Sequence, residues 1–185
     1  EKKLAFAFLL TMPGAPFIYY GDEIGMRYVE GLTSVEGGYG RTGSRSPMQW
    51  NSGKNAGFSD AEADKLYIPL DPDTNRPNAE AQMSDPDSLR SEVKKLISIR
   101  MAHPALQSRG DIRFAYYGKE SYPLAYVRTA SDEKILVVLN PSDKEAEFSF
   151  DGEAAEVIYS FGGGAALSGG KVTAQPVSAC FIKLK

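Results

Sequence analysis

The chain has one cysteine, one histidine and one tryptophan among its 185 residues, and each scarcity excludes something. A lone Cys180 can close no internal disulfide and supply no thiolate metal cluster. That economy suits a reducing compartment, so a cytoplasmic protein is the expectation. The lone His103 precedes Pro104 without an acidic or hydroxyl neighbour in sequence. It therefore suggests a helix end, where a partly cationic ring suits the dipole, rather than a catalytic triad. No apolar run approaches the roughly 20 residues that span a bilayer; the longest is residues 4–10. No signal or transit pattern is present. The net charge of −3 gives no electrostatic reason for nucleic acid or an anionic membrane as a partner. The run Gly162-Gly163-Gly164 lacks the lysine and the helix start of a phosphate loop, and reads as a strand connection.

What is present is the composition of an ordinary globular protein, 42% hydrophobic and 24% charged. The chain opens on Glu1 inside a helical pattern, so the expectation is that it continues a longer chain. Residues 2–12 are good helix formers, ended by Pro13-Gly14. Residues 15–20 form a continuously apolar stretch, the pattern of a strand buried on both faces of a parallel sheet. Residues 25–85 are rich in Gly, Ser, Asn, Asp and Pro, yet Tyr39, Trp50, Phe58 and Tyr67 argue for an ordered loop. Asp85-Pro86-Asp87 then supplies a helix start, with Asp85 as the cap. Leu89, Val93, Leu96, Ile97 and Met101 follow at helical spacing on one face. From Asp111 the period becomes two, and six or seven short runs describe a small antiparallel sandwich or barrel. The last of these runs places Cys180 in alternation with Ile182 and Leu184, as a small buried hydrophobe.

Three stretches in order carry a resemblance. They are residues 14–25 (GAPFIYYGDEIG), then Arg45-Ser46-Pro47-Met48-Gln49-Trp50 with Asn55-Ala56-Gly57-Phe58-Ser59. The third joins residues 79–82 and 85–89 with residues 100–106 (RMAHPAL). Together they resemble the C-terminal end of glycoside hydrolase family 13, the α-amylase-like enzymes. The similarity is to the branch of oligo-1,6-glucosidases, α-glucosidases and trehalose synthases. The resemblance implies an α/β plus all-β chain. Residues 1–108 would be the last helix, strand, long loop and helix of a (β/α)₈ barrel, and 109–185 an antiparallel β-sandwich. It implies an α-linked gluco-oligosaccharide as substrate of the parent enzyme, and a missing upstream barrel segment as structural partner. One strand cannot close a barrel, so residues 1–80 are expected to be marginal alone, with the apolar face of the first helix exposed.

Retaining glycoside hydrolysis needs two carboxyl groups roughly 5–5.5 Å apart across the scissile bond. The family's three catalytic acids match nothing here, so no catalytic residue is assigned and the chain alone is expected to be inactive. Asp22 and Glu23 are adjacent and diverge, while Glu62 and Asp64 lie on a polar surface. Arg45 by resemblance reaches a sugar pocket, where its planar guanidinium pairs with hydroxyls or a carboxylate. Structurally it could equally pin its loop. Tyr20 and Glu23 complete the substrate-binding set, Tyr20 as a pocket wall. Glu23 is otherwise a brace for its own turn. Trp50 stacks on a sugar or packs under its loop. No cofactor and no metal are called for. Two further readings stay open: a non-catalytic relative such as the heavy subunit of an amino-acid transporter, and a sugar-binding sandwich module.

Overall fold

The computed structural model describes residues 1–119 and 121–185. They gather into two compact units, one of residues 1–16 with 94–185 and the other of residues 17–93.

The first unit is built on eight strands: β1 (Asp111–Gly118), β2 (Ser121–Ala130), β3 (Glu133–Asn140), β4 (Ala146–Ser149), β5 (Ala154–Phe161), β6 (Ala165–Ser168), β7 (Lys171–Ala174) and β8 (Ser178–Leu184). They make a five-stranded sheet in the order β1-β2-β3-β8-β5 and a three-stranded sheet in the order β4-β7-β6. Every pairing is antiparallel. Ala125, Val127, Leu136, Val138, Cys180 and Ile182 from the larger sheet meet Phe148, Val172 and Ala174 from the smaller. This is the expected sandwich, with Cys180 in its core. The β6–β7 hairpin was not expected. It turns on Gly169-Gly170, both at positive φ (59° and 75°), which is the two-residue turn that glycine enters without steric cost.

The larger sheet is buried on its other face as well, which is why residues 135–139 form an unbroken apolar run instead of alternating. Helix α1 (Lys2–Leu9) lies over β3 and β8 and buries Leu4, Phe6, Ala7 and Leu10. The exposed helix face expected above is thereby corrected: the sheet covers it. The carbonyls left unpaired where α1 ends are taken by two buried arginines. Arg100 donates to Leu10 O (2.8 Å), Met12 O (2.9 Å) and Gly14 O (2.7 Å). Arg128 donates to the carbonyls of Thr11, Leu106, Gln107, Gly110 and Asp111.

Helix α3 (Leu89–Ala102) starts later than the sequence suggests. Ser88, not Asp85, caps it, accepting from the Ser91 amide at 3.1 Å. Asp85 closes the preceding turn through the Asp87 amide. The buried stripe is Val93, Leu96 and Arg100, while Ile97 and Met101 face outward. His103 does have an acidic partner, contrary to the sequence reading. Its Nδ1 lies 2.7 Å from Glu133 on β3, whose other oxygen accepts from the Ala105 amide. Burial raises the Glu133 carboxyl, but His103, that amide and Lys183 outweigh it and hold it below the usual carboxylate range.

The second unit has little regular structure: helix α2 (Ala79–Met83), the first turn of α3 and short 3-10 turns. Its small core joins Ile24, Met48 and Ala79. The expected strand at residues 15–20 does not form. No strand pairs with it among the described residues; Phe17 is 89% exposed, while Pro16 and Ile18 are half-buried and the Tyr19 backbone groups pair with Asp22 instead of a ladder.

Candidate active-site cavity

The second unit owes its order to side chains that hold backbone. Gln82 donates to Ile24 O (2.8 Å) and accepts from the Arg90 amide (3.0 Å). The extended segment Pro47-Met48-Gln49-Trp50 is fastened on two sides. On one, the Trp50 and Asn51 amides donate to Ala56 O, in a turn where Asn55 and Ala56 adopt positive φ. On the other, Gln49 O and Trp50 O accept from the amides of Ala79 and Glu80 at the start of α2. Its N-cap is Asn78, which accepts from the Ala81 amide.

Between these segments lies a cavity of about 390 Å³. Pro47, Met48, Trp50 and Phe58 form an apolar wall, continued by Tyr67 and Ile68. All three residues singled out from the sequence line it: Tyr20, Glu23 and Arg45. Gly21, at φ 90° and closely backed by Met26, makes the tight turn that presents them. Tyr20 donates its hydroxyl to Ser46 O at 3.1 Å. Burial raises its phenol pKa, Tyr19 adds to the rise, and the charge of Arg45 opposes it. Glu23 Oε2 accepts from the Gly21 amide at 2.8 Å, so the carboxylate braces its own turn. Its second oxygen has no donor among the described residues. Asp22 turns the other way and accepts from the Tyr19 amide. The lining thus holds one carboxylate. Trp50 is not packed under its loop; it is 52% exposed and forms part of the wall. Tyr67 and Ile68 carried no sequence signal for a place in the site, which depends on the fold of a proline-rich loop.

That loop is pinned by Asp71, buried at 1% exposure. Arg27 donates to both its oxygens, at 2.8 and 2.7 Å, and the Asp73 amide donates to one of them. The Arg27 hydrogen bonds, opposed by burial and helped by Asp73, hold the Asp71 carboxyl below its ordinary range. A carboxyl more acidic folded than unfolded stabilises fully above the ordinary Asp value of about 4. That stabilisation is lost as pH falls through the lowered one. Asp71→Asn is expected to destabilise this unit at neutral pH and to flatten its acid sensitivity below about pH 4. Urea unfolding followed by Trp50 fluorescence at neutral pH and at about pH 3 checks both. Equal midpoints for the two proteins at neutral pH would remove Asp71 as a staple.

The arrangement can hold a flat, partly apolar ring against Trp50 while Arg45 and Glu23 address its hydroxyls. Residues 1–109 match the family model "Alpha amylase, catalytic domain". The chain belongs to the α-amylase family. It is 37% identical over 137 residues to the trehalose synthase/amylase TreS of Mycobacterium tuberculosis, covering 72% of this chain and 22% of that one. It is 32% identical over 182 residues to the glucan 1,6-alpha-glucosidase of Streptococcus pneumoniae, covering 83% and 33%. Among solved structures, the trehalulose synthase MutB of Pseudomonas mesoacidophila superposes with a TM-score of 0.80 at 28% identity. That alignment covers all of this chain and 38% of that one; a mutant of MutB has also been solved with the substrate sucrose. The chain spans well under half the length of these α-amylase relatives. No described helix is long and apolar enough to cross a membrane.

Proposed function

We propose that this chain is part of a cytoplasmic carbohydrate-active enzyme acting on α-glucosidic bonds of oligosaccharides, by retaining hydrolysis or transglucosylation. The observation that carries the reading is the cavity itself. An indole and a phenyl ring form one wall, and one guanidinium and one carboxylate stand beside it. A glucosyl unit has apolar C–H faces for the wall and a rim of hydroxyls for the charged groups. In this reading Arg45 and Glu23 orient the sugar, Tyr20 limits its position, and the wall keeps water from one face.

The cavity holds a single carboxylate, whereas the reaction needs two at roughly 5–5.5 Å. The catalytic carboxylates would therefore come from outside these 185 residues, and the chain alone binds without turning over. In the same reading residues 1–108 close the (β/α)₈ barrel of a longer protein, and 109–185 form the sandwich that follows. The family match, which ends at residue 109, supports that boundary. The transporter-subunit and sugar-module readings draw no support from relatives whose names are synthases and glucosidases.

Trp50 is the only tryptophan and lines the cavity, so it reports on binding directly. Glucose is expected to change its fluorescence saturably, and an acyclic polyol at the same concentration is not. A flat glucose titration, or hydrolysis of an aryl α-glucoside by this chain alone, would contradict the proposal.

A further inference from the structure

Two of the aromatic side chains that line the cavity, Trp50 and Phe58, hang from a single turn of the backbone. The Trp50 and Asn51 amides donate to Ala56 O at 2.8 and 3.1 Å, and the Phe58 amide donates to Asn55 O at 3.0 Å. We propose that Asn55, which does not itself line the cavity, is a positioning residue. Its side chain locks this turn, and the turn fixes where the two rings stand. The inference rests on the glucosyl-binding reading above and adds a residue that acts on the ligand through Trp50 and Phe58.

The turn is one that a chain does not adopt unaided. Asn55, Ala56 and Gly57 follow one another at φ 48°, 57° and 70°. That left-handed region presses Cβ against a backbone carbonyl, so glycine enters it freely, asparagine with some tolerance and alanine rarely. Two non-glycine residues in succession there must be held by their surroundings. Asn55 supplies the hold. It is 7% exposed, and its Nδ2 donates to Ser59 O at 2.8 Å and to Ala61 O at 2.7 Å. Both protons of the amide are thus spent on drawing the chain beyond Phe58 back over the turn. The other side is closed by Asn51, whose Oδ1 accepts from the Gly53 amide at 2.9 Å. A Cβ on Gly57 would stand 2.6 Å from Asn51 Nδ2, so the third left-handed position has no room for a side chain.

The rings depend on this backbone because packing does not settle them. Trp50 is 52% exposed and Phe58 50%, and which rotamers each can take follows from its own φ and ψ. If the turn opens, Ala56 O leaves the Trp50 amide and Asn55 O leaves the Phe58 amide together. A wall held in advance spares the ligand the entropy of ordering it, and that saving is what Asn55 contributes to affinity. A residue that only stapled the loop would act otherwise: its loss would lower the unfolding midpoint and leave the affinity of the folded protein alone.

Asn55→Gly keeps the freedom of positive φ and removes both donors, which makes it the first variant to test in the 185-residue chain. Glucose affinity is expected to fall about tenfold while the far-UV circular dichroism stays that of the parent. In the sugar-free protein the anisotropy of Trp50 fluorescence is expected to fall as well, since the ring gains motion. Lys54→Ala is the control: Lys54 ties the same loop through Asp60 O and Glu62, away from the turn, and its loss should change neither reading. Parent-like affinity and anisotropy in Asn55→Gly would overturn the proposal. So would an equal loss in Lys54→Ala, which would mean that any loosening of the loop moves the wall. Should Asn55→Gly not fold, Asn55→Asp keeps the shape and sets a carboxylate against the same two carbonyls; if that also unfolds the unit, Asn55 is a staple and the proposal fails. Absence of glucose binding to the parent chain would sink the glucosyl reading instead, and the anisotropy, which needs no sugar, would still decide whether Asn55 holds Trp50.

Discussion

Replacing Arg128 with methionine is expected to lower the stability of the sandwich-bearing unit by about 3–5 kcal/mol. The side chain is fully buried on β2 and gives hydrogen bonds to five backbone carbonyls. Replacing both members of a buried polar pair by apolar groups can be nearly neutral, but here only one member is removable. The carbonyls belong to the main chain and would remain, buried and without their donor. Methionine fills the space, so the loss would report the hydrogen bonds rather than a cavity. Arg128→Lys should recover little of it, because one ammonium cannot span carbonyls from residue 11 to residue 111. The measurement is urea unfolding followed by far-UV circular dichroism, which registers the sheets; Trp50 belongs to the other unit. A midpoint within about 1 kcal/mol of the parent protein would mean that the carbonyls find other donors.

Arg45→Ala is expected to weaken glucose binding by about tenfold to a hundredfold, the range for losing hydrogen bonds to a charged donor. Arg45 is exposed and carries no ion pair among the described residues, so its removal should leave the unfolding of its own unit almost unchanged. This separates the two roles open to it in sequence. A pin for the loop would cost stability and leave any ligand alone; a sugar-binding guanidinium does the reverse. Trp50 fluorescence serves both experiments, with glucose titration for one and urea for the other. If stability falls and affinity does not, Arg45 is a staple and the sugar site loses its cation.

The sandwich was legible because short apolar runs bounded by turns recur after Asp111, although the alternation at residues 112–116 does not hold in burial: Phe114 is 48% exposed, and the register shifts between Phe114 and Tyr116. A continuous run such as residues 135–139 still marks a strand when turns bound it. Its edges were harder. The β6–β7 hairpin consists of two four-residue strands with one large apolar residue each, Leu167 and Val172, and only Gly169-Gly170 announces it. The face of α3 was misplaced because the sequence shows that Ile97 and Met101 are apolar but cannot show what stands opposite them. Arg100 is buried instead, where its guanidinium reaches three carbonyls, while Ile97 and Met101 stay 39% and 69% exposed. The stretch at residues 15–20 failed for a related reason. Its composition is that of a buried strand, but strand identity belongs to a ladder, and no strand among the described residues lies beside it.

By itself the sequence determined the family, the antiparallel sandwich and the three residues that meet in the cavity. Those depend on local signals: residue order in short motifs, a period of two, and a glycine turn next to an acid. Only the tertiary structure decided that Trp50 forms the wall and that Asp71 fastens the loop carrying Tyr67 and Ile68. Each of these brings together residues dozens of positions apart through a loop without periodicity, so no local pattern encodes where its side chains meet.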